Sequence, residues 1–470
     1  MAGKDLDFNS RNCWDVYKSK KDRKAIDDVA ARYLDFISTC KTERQCVARI
    51  LKLAAKAGFK ESANGEDFKG AKVMRAMRGK TLLLARKGKR PLSDGVRLLG
   101  AHVDSPRLDF KQHPFYADCG LGMAKTHYYG GIRKHQWLAR PLALHGVVAT
   151  KDGSVVEVSI GEDPGDPVFT VQDLLPHLAS QQMEKKLSKA FDAEKLNVVV
   201  GHAPDLESAP KKRKAGLRIE DKHVKTTLLN ILHERYGIVE EDFFSAEMEV
   251  VPAGAAREVG LDRALMGGYG HDDRLCVFAA LEAMLTAPAP EHCQLAIFWD
   301  KEEIGSEGST GAKSRFTEYC LEDLILAWSP KARPSQVWLN SKAISGDVHP
   351  AMDPDYKAMH EELNAALLGH GPVMCKFTGH RGKVAANDAH AEYVGWMRGV
   401  LGKAGVPWQM AELGKVDRGG GGTVAKYLAE YGLDIVDMGP SVLSMHSPFE
   451  IASKVDLYAT MLAYKAFIGS

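Results

Sequence analysis

The sequence Trp299-Asp300-Lys301-Glu302-Glu303-Ile304-Gly305 directly follows the apolar run Leu295-Ala296-Ile297-Phe298. An apolar β-type run that ends in carboxylates predicts an α/β fold, with acids at the carboxyl edge of the sheet where such folds bind ligands. Consecutive side chains diverge, so one carboxylate of this Glu-Glu pair can bind a metal while the other faces a reacting water as general base. For the pair taken alone, a solvated turn that caps a following helix is the alternative.

A histidine and an aspartate end a second apolar run, Arg-Leu-Leu-Gly-Ala-His-Val-Asp at residues 97 to 104. His102 and Asp104 are two residues apart, so in a strand their side chains point to the same side. We expect Asp104 to accept a hydrogen bond from one ring nitrogen of His102 and to leave the other nitrogen for a metal. Taken alone, the pair is more typical of a surface turn.

Two further acidic segments supply candidate carboxylate ligands. Asp272 and Asp273 precede a helix-like apolar stretch, where an ordinary helix N-cap is the alternative interpretation. Asp347 lies in the turn-rich segment Ile-Ser-Gly-Asp-Val-His-Pro, and Asp353 and Asp355 compete with it on composition.

A second candidate imidazole comes near the end of the chain. Residues 433 to 440 read as a buried strand, and the turn that follows carries Ser-Met-His-Ser with His446. Any single histidine of this kind is more often a hydrogen-bonded structural group than a metal ligand.

Together these segments resemble one family, the M18 metalloaminopeptidases, which include aspartyl aminopeptidase and aminopeptidase I. Five blocks in order carry the resemblance: Gly-Ala-His-Val-Asp-Ser-Pro (100–106), Gly-His-Asp-Asp-Arg (270–274), Asp-Lys-Glu-Glu-Ile-Gly-Ser (300–306), Gly-Asp-Val-His-Pro (346–350) and Ser-Met-His-Ser (444–447). The resemblance implies an α/β, phosphorylase/hydrolase-like zinc peptidase domain with a mixed central sheet flanked by helices. It also implies a β-rich inserted dimerisation domain.

The resemblance also implies two divalent metal ions per subunit. Asp272 matches the carboxylate that bridges both ions, Glu303 and His446 complete one ion, and His102 and Asp347 complete the other. Imidazole and carboxylate ligands without thiolate suit zinc, with cobalt or manganese possible, in an open catalytic site. Two ions about 3.5 to 4 Å apart could hold a hydroxide and polarise the scissile carbonyl.

The remaining catalytic roles follow from the same resemblance. Glu302 matches the general base, and Asp104 matches the acid behind the first histidine. Better-known animal members carry Asn after the bridging aspartate, whereas this chain has Asp273, so the choice between Asp272 and Asp273 as the bridge stays open at this point.

The composition is that of a globular protein large enough for more than one core. The chain has 470 residues, of which 45% are hydrophobic and 26% charged, and a net charge of +2 gives no case for nucleic acid or membrane partners. The basic run at 211–214 is interpreted as a solvated loop rather than a localisation signal.

No apolar stretch of ~18 residues and no secretory signal is evident, so we expect a cytoplasmic protein. The eight cysteines show neither metal-knuckle spacing nor disulfide density and are expected to be reduced.

The chain is expected to divide into a catalytic domain, residues 1–107 and 254–470, and an insertion at 108–253. Residues 142 to 172 alternate in strand fashion, with a turn at 151–153. By resemblance the insertion mediates homodimers, which assemble further into a tetrahedral dodecamer with the active sites facing an inner chamber.

Two residues resemble residues with which the family contacts its substrates, short peptides that bind in the active site. His177 in Leu-Leu-Pro-His-Leu matches a histidine that reaches a neighbouring subunit's active site, and a packed loop histidine is the alternative. Lys376 lies near the position of the family's substrate-binding lysine, and the alignment of the two lysines is open by one residue. Gly419–Gly422 could form the wall of a peptide pocket, because four glycines let the backbone come close to a substrate. A phosphate-binding loop is the alternative, but the segment lacks the Lys-Ser/Thr of a P-loop.

The predicted function is that of a dinuclear metal-dependent aminopeptidase. It would remove the N-terminal residue of short peptides through a metal-bridging water activated by Glu302, with a neutral or acidic N-terminal residue preferred. The alternatives are a dinuclear amidohydrolase acting on small amides and a non-catalytic assembly protein on the same fold. Loss of a metal ligand or of the general base would favour the non-catalytic assembly protein. The chain retains all five candidate ligands and Glu302, which argues against that alternative.

Overall fold

A computed structural model of the chain describes residues 7–63, 66, 68–204 and 221–470. The basic run at 211–214 lies outside these residues. The chain divides into two compact units, the first formed by 1–105, 256–445 and 449–470 and the second by 106–255 and 446–448. Within the described ranges, no helix is both long and apolar enough to cross a membrane.

The strands, numbered along the chain, are β1 Lys60–Glu61, β2 Lys72–Met77, β3 Thr81–Arg86, β4 Val96–His102, β5 Arg107–Asp118, β6 Leu121–Tyr129, β7 Leu142–Ala149, β8 Val155–Ile160, β9 Thr170–Val171, β10 Val198–Gly201, β11 Ala246–Pro252, β12 Arg257–Val259, β13 Leu265–Gly268, β14 Cys293–Trp299, β15 Lys342–Ser345, β16 His349–Pro350, β17 Val373–Cys375, β18 Gly379–His380, β19 Gln409–Met410, β20 Gly420–Gly421, β21 Asp434–Gly439, β22 Ser441–Leu443 and β23 Glu450–Ser453.

The α-helices are α1 Cys13–Val16, α2 Lys20–Thr39, α3 Glu43–Lys56, α4 Ser180–Met183, α5 Leu187–Ala190, α6 Asp221–Tyr236, α7 His271–Thr286, α8 Phe316–Trp328, α9 Pro334–Leu339, α10 Ala391–Ala404, α11 Ala425–Ala429 and α12 Lys454–Ile468. Short 3-10 helices lie at Leu92–Asp94, Lys134–Trp137, Pro176–Leu178, Ala193–Lys195, Glu240–Ser245, Glu302–Ile304, Lys357–Met359 and Glu362–Asn364.

The first unit is built on a mixed sheet with the strand order β1-β2-β3-β14-β4-β15-β21-β17-β19. Its central strands β14, β4, β15 and β21 are parallel, and Trp299 at the end of β14 lies in register with His102 at the end of β4. The segments that follow these strands therefore start from one edge of the sheet. The unit also contains a smaller sheet, β12-β13-β23-β22-β16, and the strand pair β18-β20.

Helices cover both faces of the central sheet because its strands are apolar on both sides. Alternate residues of β14 belong to two different cores: Ala296 and Phe298 pack with α2, α7 and α12, whereas Leu295 and Ile297 pack with α8, α9 and α11. This period of two is the strand pattern expected from the sequence. The first unit is thus a mixed α/β structure.

The second unit contains the sheet β8-β7-β11-β5-β6-β10-β9, whose paired strands are all antiparallel. The turn at 151–153 joins β7 and β8 as a hairpin. Helix α6 packs against β5 and β6. Its Leu228 lies so close to Gly122 that a Cβ on this glycine would stand 2.5 Å from the leucine Cδ1, which explains the small residue there.

Candidate metal centre

His102 is held between two carboxylates at the end of β4. Its Nδ1 lies 3.3 Å from Oδ1 of Asp104 and 3.1 Å from the Asp104 carbonyl oxygen, while its Nε2 lies 3.1 Å from Oδ1 of Asp272. Strand β4 ends at His102, two residues earlier than the predicted strand, but the side chains of His102 and Asp104 still meet. The side chains of His102 and Asp104 are both buried.

Asp272 and Asp273 lie in the first turn of α7, where both have non-helical backbone angles. The Asp273 carboxylate accepts the backbone N–H of His102 at 3.3 Å. The backbone of Asp272 is held on both sides, because its N–H donates to Glu450 at 3.2 Å and its carbonyl accepts the Ser105 hydroxyl at 2.7 Å. The two aspartates therefore contact different atoms of His102: Asp273 its backbone N–H, and Asp272 its ring Nε2.

Three side chains of the first unit could hold one metal ion. Ligand atoms of His102, Asp272 and Asp347 all lie within 4.8 Å of one another. Asp347 follows β15, the neighbour of β4 in the sheet. Among the described residues, the competing Asp353 and Asp355 join no such group, and Asp353 instead accepts the backbone N–H of Asp355 at 2.9 Å.

Asp272 also approaches a second carboxylate. One of its oxygens and one of Glu303 lie within 4.8 Å of each other. Across the described part of the chain, Asp273 belongs to no candidate metal group. The geometry thus distinguishes two aspartates that the sequence leaves equivalent.

Glu302 and Glu303 form a 3-10 turn directly after β14, entered through Lys301 in the left-handed region at φ 67°. The carboxylate of Asp104 accepts both of their backbone N–H groups, from Glu302 at 3.1 Å and from Glu303 at 3.2 Å. One buried carboxylate therefore orients the imidazole of His102 and fixes the backbone of both glutamates.

The centre concentrates negative charge away from water. Burial and the neighbouring Asp272 raise the pKa of Asp273 well above its usual value, and burial together with Asp272 and Asp273 does the same for the pKa of Asp347. Burial would lower the pKa of His102, but its hydrogen bonds to Asp104 and Asp272 raise it well above normal. Such a cluster favours cations, because a cation offsets the repulsion among buried carboxylates.

His446 lies in the segment between β22 and β23, with a positive φ of 64°. Residues 446–448 group with the second unit, in which the Nδ1 of His446 lies 3.2 Å from the carbonyl oxygen of Gly131. His177, also in the second unit, is exposed within the 3-10 helix Pro176–Leu178.

Lys376 follows β17 and forms an ion pair with Asp388, which also binds Lys383 at 2.7 Å. In the glycine-rich segment, β20 pairs with β18, and the hydroxyl of Thr423 donates to Asp437 at 2.6 Å.

Sequence reasoning missed three supporting contacts: the backbone N–H of His102 donates to Asp273, the backbone N–H of Asp272 donates to Glu450, and the backbone N–H groups of Glu302 and Glu303 both donate to Asp104. All of them join residues more than 150 positions apart, so no local pattern could have revealed them.

The sequence model of one family, described as aminopeptidase I zinc metalloprotease (M18), matches residues 36–468. The chain belongs to this family. The probable M18 family aminopeptidase 1 of Clostridium acetobutylicum is 47% identical over 473 residues, covering 99% of each chain, and that of Thermotoga maritima is 46% identical, covering 98% of this chain and 99% of its own. The prediction of an M18 metalloaminopeptidase is confirmed.

Crystal structures of M18 aminopeptidases have the same fold. The Thermotoga maritima aminopeptidase superposes with a TM-score of 0.90 at 45% identity, covering 98% of this chain and 99% of its own. Aminopeptidase I from Clostridium acetobutylicum gives 0.91 at 45% identity, with 99% and 100% covered. The S. cerevisiae mApe1 dodecamer, at 20% identity and a TM-score of 0.75 over 94% of this chain and 97% of its own, shares the fold.

Proposed function

We propose that the chain is a dinuclear metalloaminopeptidase that removes the N-terminal residue of short peptides. The observation that carries the proposal is the position of the Asp272 carboxylate. One of its oxygens lies within 4.8 Å of ligand atoms of both His102 and Asp347, and one lies within 4.8 Å of a carboxylate oxygen of Glu303. On the family resemblance, we propose that His446 supplies a third ligand to the second ion. Asp272 would then bridge the two ions.

The donors fit zinc. Imidazole nitrogen and carboxylate oxygen are ligands that Zn²⁺ accepts in catalytic sites, and three protein ligands per ion leave a position open. Burial would lower the pKa of His102, but its hydrogen bonds to Asp104 and Asp272 raise it well above normal. A metal cation and a proton would therefore compete for Nε2, the ring nitrogen that lies near Asp272. Cobalt or manganese would suit the same donors.

When bound, the two ions would polarise the scissile carbonyl and make an attacking water more acidic. Glu302 would take a proton from the attacking water as its oxygen bonds to the carbonyl carbon, and would pass that proton to the amine nitrogen as the C–N bond breaks. Its neighbour Glu303 would hold metal instead. Asp104 supports both tasks, because it orients His102 through the ring nitrogen and Glu302 through the backbone N–H.

We further propose that the second unit is a dimerisation domain and that dimers build a closed dodecamer. The support is the resemblance of the insertion and the shared fold with a dodecameric protein. His177 is exposed and so is available to a neighbouring subunit, and Lys376 is proposed to contact substrate. The preferred N-terminal residue is neutral or acidic.

Metal removal and reconstitution test the proposal. The purified chain is treated with a chelator, loaded with zinc, cobalt or manganese, and assayed on a panel of aminoacyl-nitroanilides and on short peptides with a free N-terminus. We expect no turnover without metal, recovery with metal, and no cleavage of the matching N-acetylated substrates, because an aminopeptidase needs a free amine. Full activity in metal-free protein would refute the proposal. Cleavage of small amides but not of peptides would favour an amidohydrolase, and no hydrolysis in any form would favour an assembly protein.

A further inference from the structure

The loop that presents Glu302, here residues 300–310 and called the Glu302 loop, has an unfavourable backbone. Lys301 and Ser306 both have left-handed φ angles, 67° and 61°, although neither is glycine. Such conformations persist only where surrounding contacts hold them. Contacts outside the turn must therefore fix the position of Glu302.

The loop is closed at its two ends by a reciprocal pair of hydrogen bonds. The hydroxyl of Thr310 donates to Oδ2 of Asp300 at 2.7 Å, and the backbone N–H of Asp300 donates to the carbonyl oxygen of Thr310 at 3.3 Å. Both residues are buried, with 1% exposure at Asp300 and 2% at Thr310. Water therefore does not compete for these bonds.

The closed ends are also attached to the sheet. The hydroxyl of Thr81, the first residue of β3, donates to the carbonyl oxygen of Thr310, while Asp300 continues β14. Inside the loop, the N–H of Ser306 donates to the carbonyl oxygen of Lys301 at 2.7 Å. The side chain of Thr310 thus supplies one of the two hydrogen bonds between the far end of the loop and the strand that leads into Glu302, beside the bond from the Asp300 N–H to the Thr310 carbonyl oxygen.

We propose that Thr310 is a positioning residue for the general base, a role that rests on the proposed function of Glu302. Its hydroxyl holds Asp300, and through Asp300 it keeps Glu302 at the place where the Asp104 carboxylate receives the Glu302 N–H. Thr310 itself touches neither substrate nor metal in this role. Misplacement of a catalytic group by about 1 Å can cost about 100-fold in rate, so loosening the loop should appear in kcat.

The test compares Thr310→Val, which removes the hydroxyl at nearly constant shape, with Thr310→Ser, which restores it. Thr317→Val is the matched control, since Thr317 is equally buried at 2% and its hydroxyl accepts the indole N–H of Trp299 outside the loop. Thr310→Val should lose about 10- to 100-fold in kcat with KM and metal content within about threefold of wild type. Thr310→Ser and Thr317→Val should stay within about threefold in kcat.

Hydrogen exchange of the metal-free proteins gives a readout independent of activity. In Thr310→Val the amides of Glu302 and Glu303 should exchange faster than in wild type, whereas Thr317→Val should leave them unchanged. Thr310→Ala, which adds no methyl group in place of the hydroxyl, replaces Thr310→Val if the latter does not fold.

Unchanged kcat and unchanged exchange in the Thr310 variant would overturn the positioning role, and so would a loss of kcat that followed loss of metal. A wild type without metal-dependent peptidase activity would instead refute the proposed function, whatever the variants do.

Discussion

Replacing Asp104 by Asn tests how strongly one carboxylate organises the centre. The carboxylate accepts hydrogen bonds from the backbone N–H groups of Glu302 and Glu303, and its Oδ1 lies 3.3 Å from Nδ1 of the His102 ring. Asn keeps the shape but offers one acceptor oxygen, so one backbone N–H would face an amide NH2 group. It also removes the charge that strengthens the remaining bonds.

The size of the effect follows from these bonds. A buried donor without an acceptor costs about 1–3 kcal/mol, and a hydrogen bond to a neutral acceptor is weaker by about 1 kcal/mol than one to a charged acceptor. Together they amount to about 2–4 kcal/mol. Because about 1.36 kcal/mol corresponds to a factor of ten, kcat/KM should fall by about 30- to 900-fold if the loss appears in the transition state.

The assay measures kcat, KM and metal content of Asp104→Asn, with Asp355→Asn as control because Asp355 is exposed and joins no candidate metal group among the described residues. We expect Asp355→Asn to match wild type. The reasoning is refuted if Asp104→Asn keeps kcat/KM within threefold of wild type with both metals bound.

Four further substitutions probe the general base, metal binding, the pH dependence of stability and the contact between subunits. Glu302→Gln should lose about 10²- to 10⁴-fold in kcat with metal retained, whereas Glu303→Gln should lower metal occupancy, as shown by kinetics and metal analysis. Burial raises the pKa of Asp456 to about 7 despite two backbone N–H donors, so the folded state keeps a proton that the unfolded state loses above about pH 4. This contribution to stability, at most about 4 kcal/mol, is complete below pH 4 and lost as the pH rises through 7, so Asp456→Asn should flatten the dependence of Tm on pH. His177→Ala should reduce activity without changing the oligomer seen by light scattering.

Each of these expectations has a contrary result. Equal effects of the two glutamine variants on metal and rate would remove the division of roles between Glu302 and Glu303. A parallel pH dependence of Tm in wild type and Asp456→Asn would show that Asp456 is not the titrating group. Unchanged kinetics of His177→Ala would remove only its role across subunits, and a fully active monomer would refute the need for assembly.

Features that depend on strand ends were predictable from the sequence. The apolar runs before His102 and Glu302 have the period and length of buried strands, and parallel strands bring the residues after them to one sheet edge. The meeting of His102 and Asp104 follows from the alternation of side chains along a strand. Asp347 could be predicted in the same way, because it follows β15 at the same edge.

Features that depend on local irregularity or on distant partners were not predictable. The different positions of the Asp272 and Asp273 side chains depend on non-helical backbone angles in the first turn of α7, which helix propensity does not show. The Asp104 carboxylate meets Glu302 across 198 positions, and its backbone contact has no sequence signature. The Thr310 hydroxyl is a third case, because a threonine in a loop has many possible acceptors.

The most direct test of the dinuclear centre is a crystal structure of the zinc-loaded protein with anomalous scattering recorded at the zinc edge. The account predicts two zinc peaks per chain, about 3.5 to 4 Å apart, one bound by His102 and Asp347, the other by Glu303 and His446, with Asp272 between them. A single peak, or two peaks that do not share Asp272, would contradict it.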